Sequence, residues 1–252
     1  MNILLTNDDG IHAPGLLALH TSLSREHRVF VVAPESEQSA VGHSITLTDP
    51  IQVKNVNKNG CFFGYALSGT PADCVKIGVS ELINVHLDAV ISGINLGANV
   101  GINILYSGTV SAATEAAICG LPSLAVSLNT YSGPDFTYAA EFARRLALKL
   151  PELDLAPGVS LNVNIPALPR EMIQGAVWTA QCLTPFQEVF TRRLDPRGNT
   201  YYWRGGEKAA REMDQVSDYD LLKQGFITLT PLKPDLANHK ELSRLRNYKI
   251  EP

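Results

Sequence analysis

Two acids stand side by side near the start of this chain, Asp8 and Asp9, with Asn7 before them and Gly10 behind. Two carboxylates brought to one point repel unless a proton or a cation sits between them. In an extended strand neighbouring side chains point to opposite faces, so this pair converges only where the backbone is released into a turn. Asn-Asp-Asp-Gly provides that release, because Asn and Asp favour turns and Gly tolerates positive φ. Taken alone, the tetrapeptide reads first as a solvated turn. Two further oxygen donors, Ser39 and Asn95, follow later apolar runs, although neither is distinctive by itself. Two carboxylates, a hydroxyl and an amide carbonyl form an oxygen-only set that suits Mg²⁺, Mn²⁺ or Ca²⁺ and disfavours zinc.

An anion partner for such a cation is offered by Ser107-Gly108-Thr109, which opens an alanine-rich helix expected from Val110 to Cys119. A helix N-terminus presents free backbone N–H groups, and the two hydroxyls add donors. A lone Ser-Gly-Thr is most simply a cap; beside a cation, a phosphate cradle becomes the better reading. Glycines 93, 97 and 101 do not form the Gly-x-Gly-x-x-Gly of a dinucleotide site, and no Walker lysine is present. Thr70-Pro71-Ala72-Asp73 reads as a capping box first and a site contact second.

The elements that must position these residues alternate between strand and helix. Buried strands are expected at Ile3–Thr6, Arg28–Ala33, Asp88–Ser92, Ser123–Ser127 and Ser160–Ile165. Helices are expected from Pro14 to about Ser24, from Pro71 through Ile83, and from Phe136 to Lys149. The fold class is therefore α/β: a doubly wound, mainly parallel sheet with helices on both faces. If the second and third strands flank the first, Asp8, Asp9, Ser39 and Asn95 gather at the carboxyl edge, at the switch point where such sheets bind ligands. Residues 45–63, with Asn57-Lys58-Asn59-Gly60, suggest a hairpin beside the core. Beyond about Arg170 the pattern changes to a long hairpin tipped by Asp195-Pro196-Arg197-Gly198-Asn199, a short helix at Tyr219–Lys223, a strand at Phe226–Leu232 and a polar tail. The expected division is a catalytic core over 1–180 and an arm with a returning segment over 181–252, which is not an independent domain.

Composition narrows the partners. With 252 residues, a net charge of −4 and no basic stripe, the chain is not expected to bind a nucleic-acid polymer. No apolar run is long enough to span a bilayer. The four cysteines contain no Cys-x-x-Cys pair, so reduced thiols and a cytoplasmic location are expected.

Five ordered blocks carry a resemblance: Asn7-Asp8-Asp9-Gly10, Ser39 to Ser44, Ser68 to Val75, Ser92 to Asn99, and Tyr106 to Ala113, continued by Gly225 to Leu232. Together they resemble the stationary-phase survival protein family SurE over nearly the whole chain. The resemblance implies a Rossmann-like core, hydrolysis of nucleoside 5′- and 3′-monophosphates with one divalent metal ion, Mg²⁺ or Mn²⁺, and a homodimer or homotetramer built through a C-terminal arm. It further implies that Asp8, Asp9, Ser39 and Asn95 are the metal ligands, with Asp8 and Asp9 catalytic. Asn95, Asn99, Ser107, Gly108 and Thr109 fall where the family holds phosphate. Ser217-Asp218 departs from an expected Thr-Asp, and 181–215 matches least clearly. The rival class is a non-enzymatic nucleotide or metal sensor. A receiver domain would be about half this length, and a haloacid-dehalogenase-type phosphatase needs Asp-x-Asp rather than adjacent acids.

Overall fold

The computed structural model describes residues 1–252 except Pro185, 209–215 and 249–252. In its first half the chain forms β1 (Asn2–Thr6), α1 (Pro14–Leu23), β2 (Arg28–Pro34), β3 (Val53–Lys58), β4 (Cys61–Leu67), α2 (Pro71–Ile77), β5 (Ala89–Leu96) and α3 (Gly108–Ile118). The second half adds β6 (Ser123–Asn129), α4 (Thr137–Lys149), β7 (Ser160–Pro166), β8 (Ala176–Trp178), β9 (Phe186–Leu194), β10 (Thr200–Lys208), α5 (Asp218–Lys223), β11 (Ile227–Leu232) and α6 (His239–Leu245).

Nine strands join in the order β3-β4-β2-β1-β5-β6-β7-β11-β8. From β4 to β7 all neighbours are parallel, while β3 and β11 run antiparallel to β4 and β7. The order reverses between β1 and β5, so the doubly wound arrangement and its switch point are as expected. Among the described residues β9 and β10 pair only with each other, turning through Asp195–Asn199. No helix among the described residues is long and apolar enough to cross a membrane, and all four cysteines are unbridged.

Local chemistry explains the main starts and stops. Pro14 opens α1, where its missing N–H has no helical partner to lose. Thr70 and Asp73 form the reciprocal capping box on α2. The 57–60 turn joins β3 to β4 as a hairpin, and β4 then pairs parallel with β2, which makes the hairpin the edge of the main sheet.

Three local readings need correction. β5 continues through Leu96, so Asn95 lies inside a strand end rather than after it; the irregular register between Gly93 and Asn95 lets the chain stay paired with β6. β8 was not expected, because three residues are too few to show alternation. The polar tail contains α6, capped by the Asn238 side chain; its last four residues lie outside the described ones.

The two faces of the sheet are unlike. α1 and α4 cover an apolar layer that includes Leu5, Ile91, Val126, Val163 and Leu229. The opposite face is apolar under α2 and α3 near Leu4, Val32 and Val90. Further along, beneath α3 and the 97–106 segment, it becomes polar, with Ser127, Asn162, Asn164, Thr228 and Thr230 all buried. Ser123 Oγ on this face donates to the Ala113 carbonyl of α3 at 2.7 Å.

Candidate active site

The turn after β1 is held from both sides. Asn7 donates through Nδ2 to the Gly10 carbonyl at 3.0 Å, and Gln38 N–H donates to the Asp8 carbonyl at 2.8 Å. This second bond ties the loop after β2, which carries Ser39, to the acidic pair. Asp8 is buried and accepts at Oδ1 from the Thr109 hydroxyl in the first turn of α3. Burial raises its pKa against the pull of that hydroxyl and of the Thr109 and Gly108 backbone amides. Asp9 is half-buried and pushed up to about 7, first by burial, then by the charge of Asp8 and by that of Glu37. The Leu96 backbone offsets part of this rise, which puts Asp9 against the end of β5. The two carboxylates repel each other, and among the described residues neither forms a salt bridge.

The other expected ligands are solvent-accessible to different degrees. Ser39 is exposed, and its hydroxyl donates to Glu37 Oε1. Asn95 donates through Nδ2 to the Gly97 carbonyl at 2.7 Å, which leaves Oδ1 as the atom available to a ligand. Among the described residues no group of three or more His, Cys, Asp or Glu side chains could hold a metal. A cation here would therefore need the neutral oxygens of Ser39 and Asn95 beside Asp8 and Asp9, and this donor set fits a hard divalent ion.

The anion-binding candidates are more committed than expected. Ser107 caps α3 by accepting from Val110 N–H at 3.1 Å, and Thr109 is spent on Asp8. Gly108 is needed for space: a Cβ there would lie 2.7 Å from Asp8 Cβ. Asn99 is buried, and its Nδ2 donates inward to Ser127 Oγ at 2.9 Å. Its backbone is gripped by the polar part of the sheet. The Asn99 N–H donates to Asn164 Oδ1 at 2.7 Å, and its carbonyl accepts from Asn162 Nδ2 at 2.8 Å.

Sequence reading missed Glu37, Asn162 and Asn164. Glu37 had a signal, since it sits two residues from Ser39 in an acidic loop. The two asparagines had none, because only sheet register brings them under Asn99.

Comparison with known proteins points to one family. The family profile described as "Survival protein SurE" matches residues 3–188. A protein of Syntrophobacter fumaroxidans named 5′-nucleotidase SurE is 50% identical over 250 residues, covering 99% of this chain and 100% of the relative. One of the same name from Syntrophus aciditrophicus is 51% identical over 247 residues, covering 98% and 93%. The crystal structure of the SurE protein from Aquifex aeolicus superposes with a TM-score of 0.85 at 36% identity, covering 98% of both chains. With the family profile spanning most of the chain, and relatives and fold matching from end to end, this chain belongs to the SurE family.

Proposed function

We propose that this chain is a 5′-nucleotidase that hydrolyses phosphate monoesters with one divalent cation, Mg²⁺ or Mn²⁺. Its preferred substrates are nucleoside 5′-monophosphates, and it also accepts 3′-monophosphates. The observation that carries this reading is the mutually repelling pair of buried Asp8 and half-buried Asp9 beside the first turn of α3. Full-length similarity to relatives named 5′-nucleotidases supports the same class.

Asp8 and Asp9, Ser39 Oγ and Asn95 Oδ1 would hold the ion. When bound, such an ion offsets phosphoryl charge and acidifies water. The backbone amides at Ser107-Gly108-Thr109 and the Ser107 hydroxyl, together with Asn99 and Asn95, would orient the phosphoryl group at the helix N-terminus, while the Thr109 hydroxyl stays on Asp8. Asp8 stays fixed by Thr109. Asp9, the more open of the pair, either takes the proton of an attacking water or attacks phosphorus itself. Acid quench distinguishes these routes, since only the second leaves a phosphoaspartate.

The decisive assay is release of phosphate from AMP and p-nitrophenyl phosphate with Mg²⁺ or Mn²⁺ and an EDTA control. Absence of metal-dependent turnover across nucleotides would put the sensor reading ahead. For assembly, the β9–β10 ribbon supports a homodimer at least, because Phe190, Leu194 and Tyr202 share one of its faces and Val189, Tyr201 and Trp203 the other, all exposed.

A further inference from the structure

The link between Asn99 and Ser107 is a short 3₁₀ helix, Gly101–Tyr106. Its first residue is held by groups that lie beyond 180 in sequence. Gly101 N–H donates to Asp218 Oδ2 at 2.9 Å, and its carbonyl accepts from Gln181 Nε2 at 2.9 Å. Gly101 has φ +58°, and a Cβ there would approach the Cys182 carbonyl oxygen to 3.1 Å. Backbone therefore packs on backbone at this point, and a side chain would disturb it.

Asp218 is fully buried at the start of α5. Its Oδ1 accepts from Cys182 N–H at 2.9 Å and from Tyr219 N–H at 2.8 Å. Asp218 N–H donates to the Ala180 carbonyl at 3.0 Å, and Ala180 and Ser217 form a parallel bridge. One carboxylate thus joins the strand of chain leaving for the β9–β10 hairpin, the strand returning from it, and the first residue of the Asn99–Ser107 link. Only an acceptor at both oxygens satisfies these three N–H groups. An amide in its place would turn an NH₂ toward at least one of them.

We propose that Asp218 is a positioning residue for phosphate binding: it fastens the root of the hairpin arm to Gly101 and so fixes Asn99 against Ser107. The seating of the arm is thereby coupled to the affinity of the site for a phosphoryl group, without any contact from Asp218 to the substrate. The inference rests on the reading that Asn99 and residues 107–109 receive phosphate.

The test uses the full chain and its Asp218→Asn and Gln181→Met variants, with Mn²⁺ saturating. Turnover of AMP and competitive inhibition by inorganic phosphate are measured first on the unaltered protein. If neither is seen, the functional reading fails, and it fails independently of Asp218. Where both are seen, Asp218→Asn raises the KM for AMP and the Ki for phosphate about tenfold, with a smaller change in kcat. The rise in Tm on adding Mn²⁺ stays at its original size, because Asp8 and Asp9 are untouched. Gln181→Met removes one of the two holds on Gly101 and shifts Ki in the same direction by about threefold; it decides the matter if Asp218→Asn does not fold. A lowered Tm with Ki within twofold of the original in the variants that fold would overturn the proposal and leave Asp218 a purely structural residue.

Discussion

The Thr109 hydroxyl donates to Asp8 Oδ1, so the first turn of α3 and the end of β1 are joined through one hydrogen bond inside the site. Thr109 is wholly buried and Asp8 nearly so, which means no solvent competes for this bond. Thr109→Val keeps the volume and removes the donor. Hydrogen bonds to charged groups contribute about 1.5–3 kcal/mol, so Mn²⁺ affinity measured by calorimetry is expected to weaken about tenfold to a hundredfold. The far-UV circular dichroism spectrum is expected to be unchanged.

Asp9→Asn replaces a half-buried carboxylate by a neutral amide. Activity on AMP is expected to fall by orders of magnitude, while metal-free thermal stability holds or rises because the repulsion with Asp8 is gone. The stabilisation gained on adding Mn²⁺ should shrink. Retention of full activity and full metal response would reduce the pair to a surface turn.

The same residue sets a pH dependence in the metal-free protein. Its folded pKa of about 7 lies above the unfolded carboxylate value of about 3.9. The folded state then holds the extra proton between these limits, so this contribution to stability falls as pH rises from about 4 to about 7. His20 and His27 lean the other way, because burial lowers both. The informative quantity is therefore the difference in Tm between the unaltered protein and Asp9→Asn in EDTA, which should favour Asp9→Asn increasingly from about pH 5 to about pH 7 and level off above it. A difference that does not vary with pH would contradict the burial of Asp9.

Gly108→Ala would ordinarily help a helix. Here the added methyl would stand 2.7 Å from Asp8 Cβ and 3.0 Å from Asp8 Oδ2. Overpacking of this kind costs about 1–3 kcal/mol, and the strain falls on Asp8. The expected result is a loss of kcat/KM of about a hundredfold or more with only a modest drop in Tm, read from AMP kinetics and a melting curve.

Exposed apolar residues on both faces of the β9–β10 ribbon are expected to be covered by a second copy. Sedimentation at micromolar concentration should give a dimer or larger. Phe190→Ser with Tyr202→Ser should shift it toward the monomer. A monomer without any substitution would remove the arm from the account of assembly.

Much of the architecture could be read from local signals. Asn7-Asp8-Asp9-Gly10, the Thr70–Asp73 capping box and the Asp195–Asn199 hairpin tip each specify a conformation within a few residues. Asn95 was misassigned to a loop because Gly93 and Gly97 suggest a break where β5 keeps its pairing with β6. The supports of the site were beyond local reading altogether. Asn162, Asn164 and Asp218 act on residues more than sixty positions away, and their partners are backbone groups that carry no sequence signature.

The polar part of the sheet also sets an order in time. Every residue assigned to bind metal or phosphate lies within the first 109 positions, yet Asn99 is held by side chains of β7 and Gly101 by one at the start of α5. A nascent chain that has emerged only through β6 carries all the chemistry and none of this bracing. If Asp218 positions the phosphate site as proposed, the site is complete only when residue 218 has left the ribosome and docked, and a truncated product of interrupted synthesis would carry the acidic pair without a fixed place for phosphate.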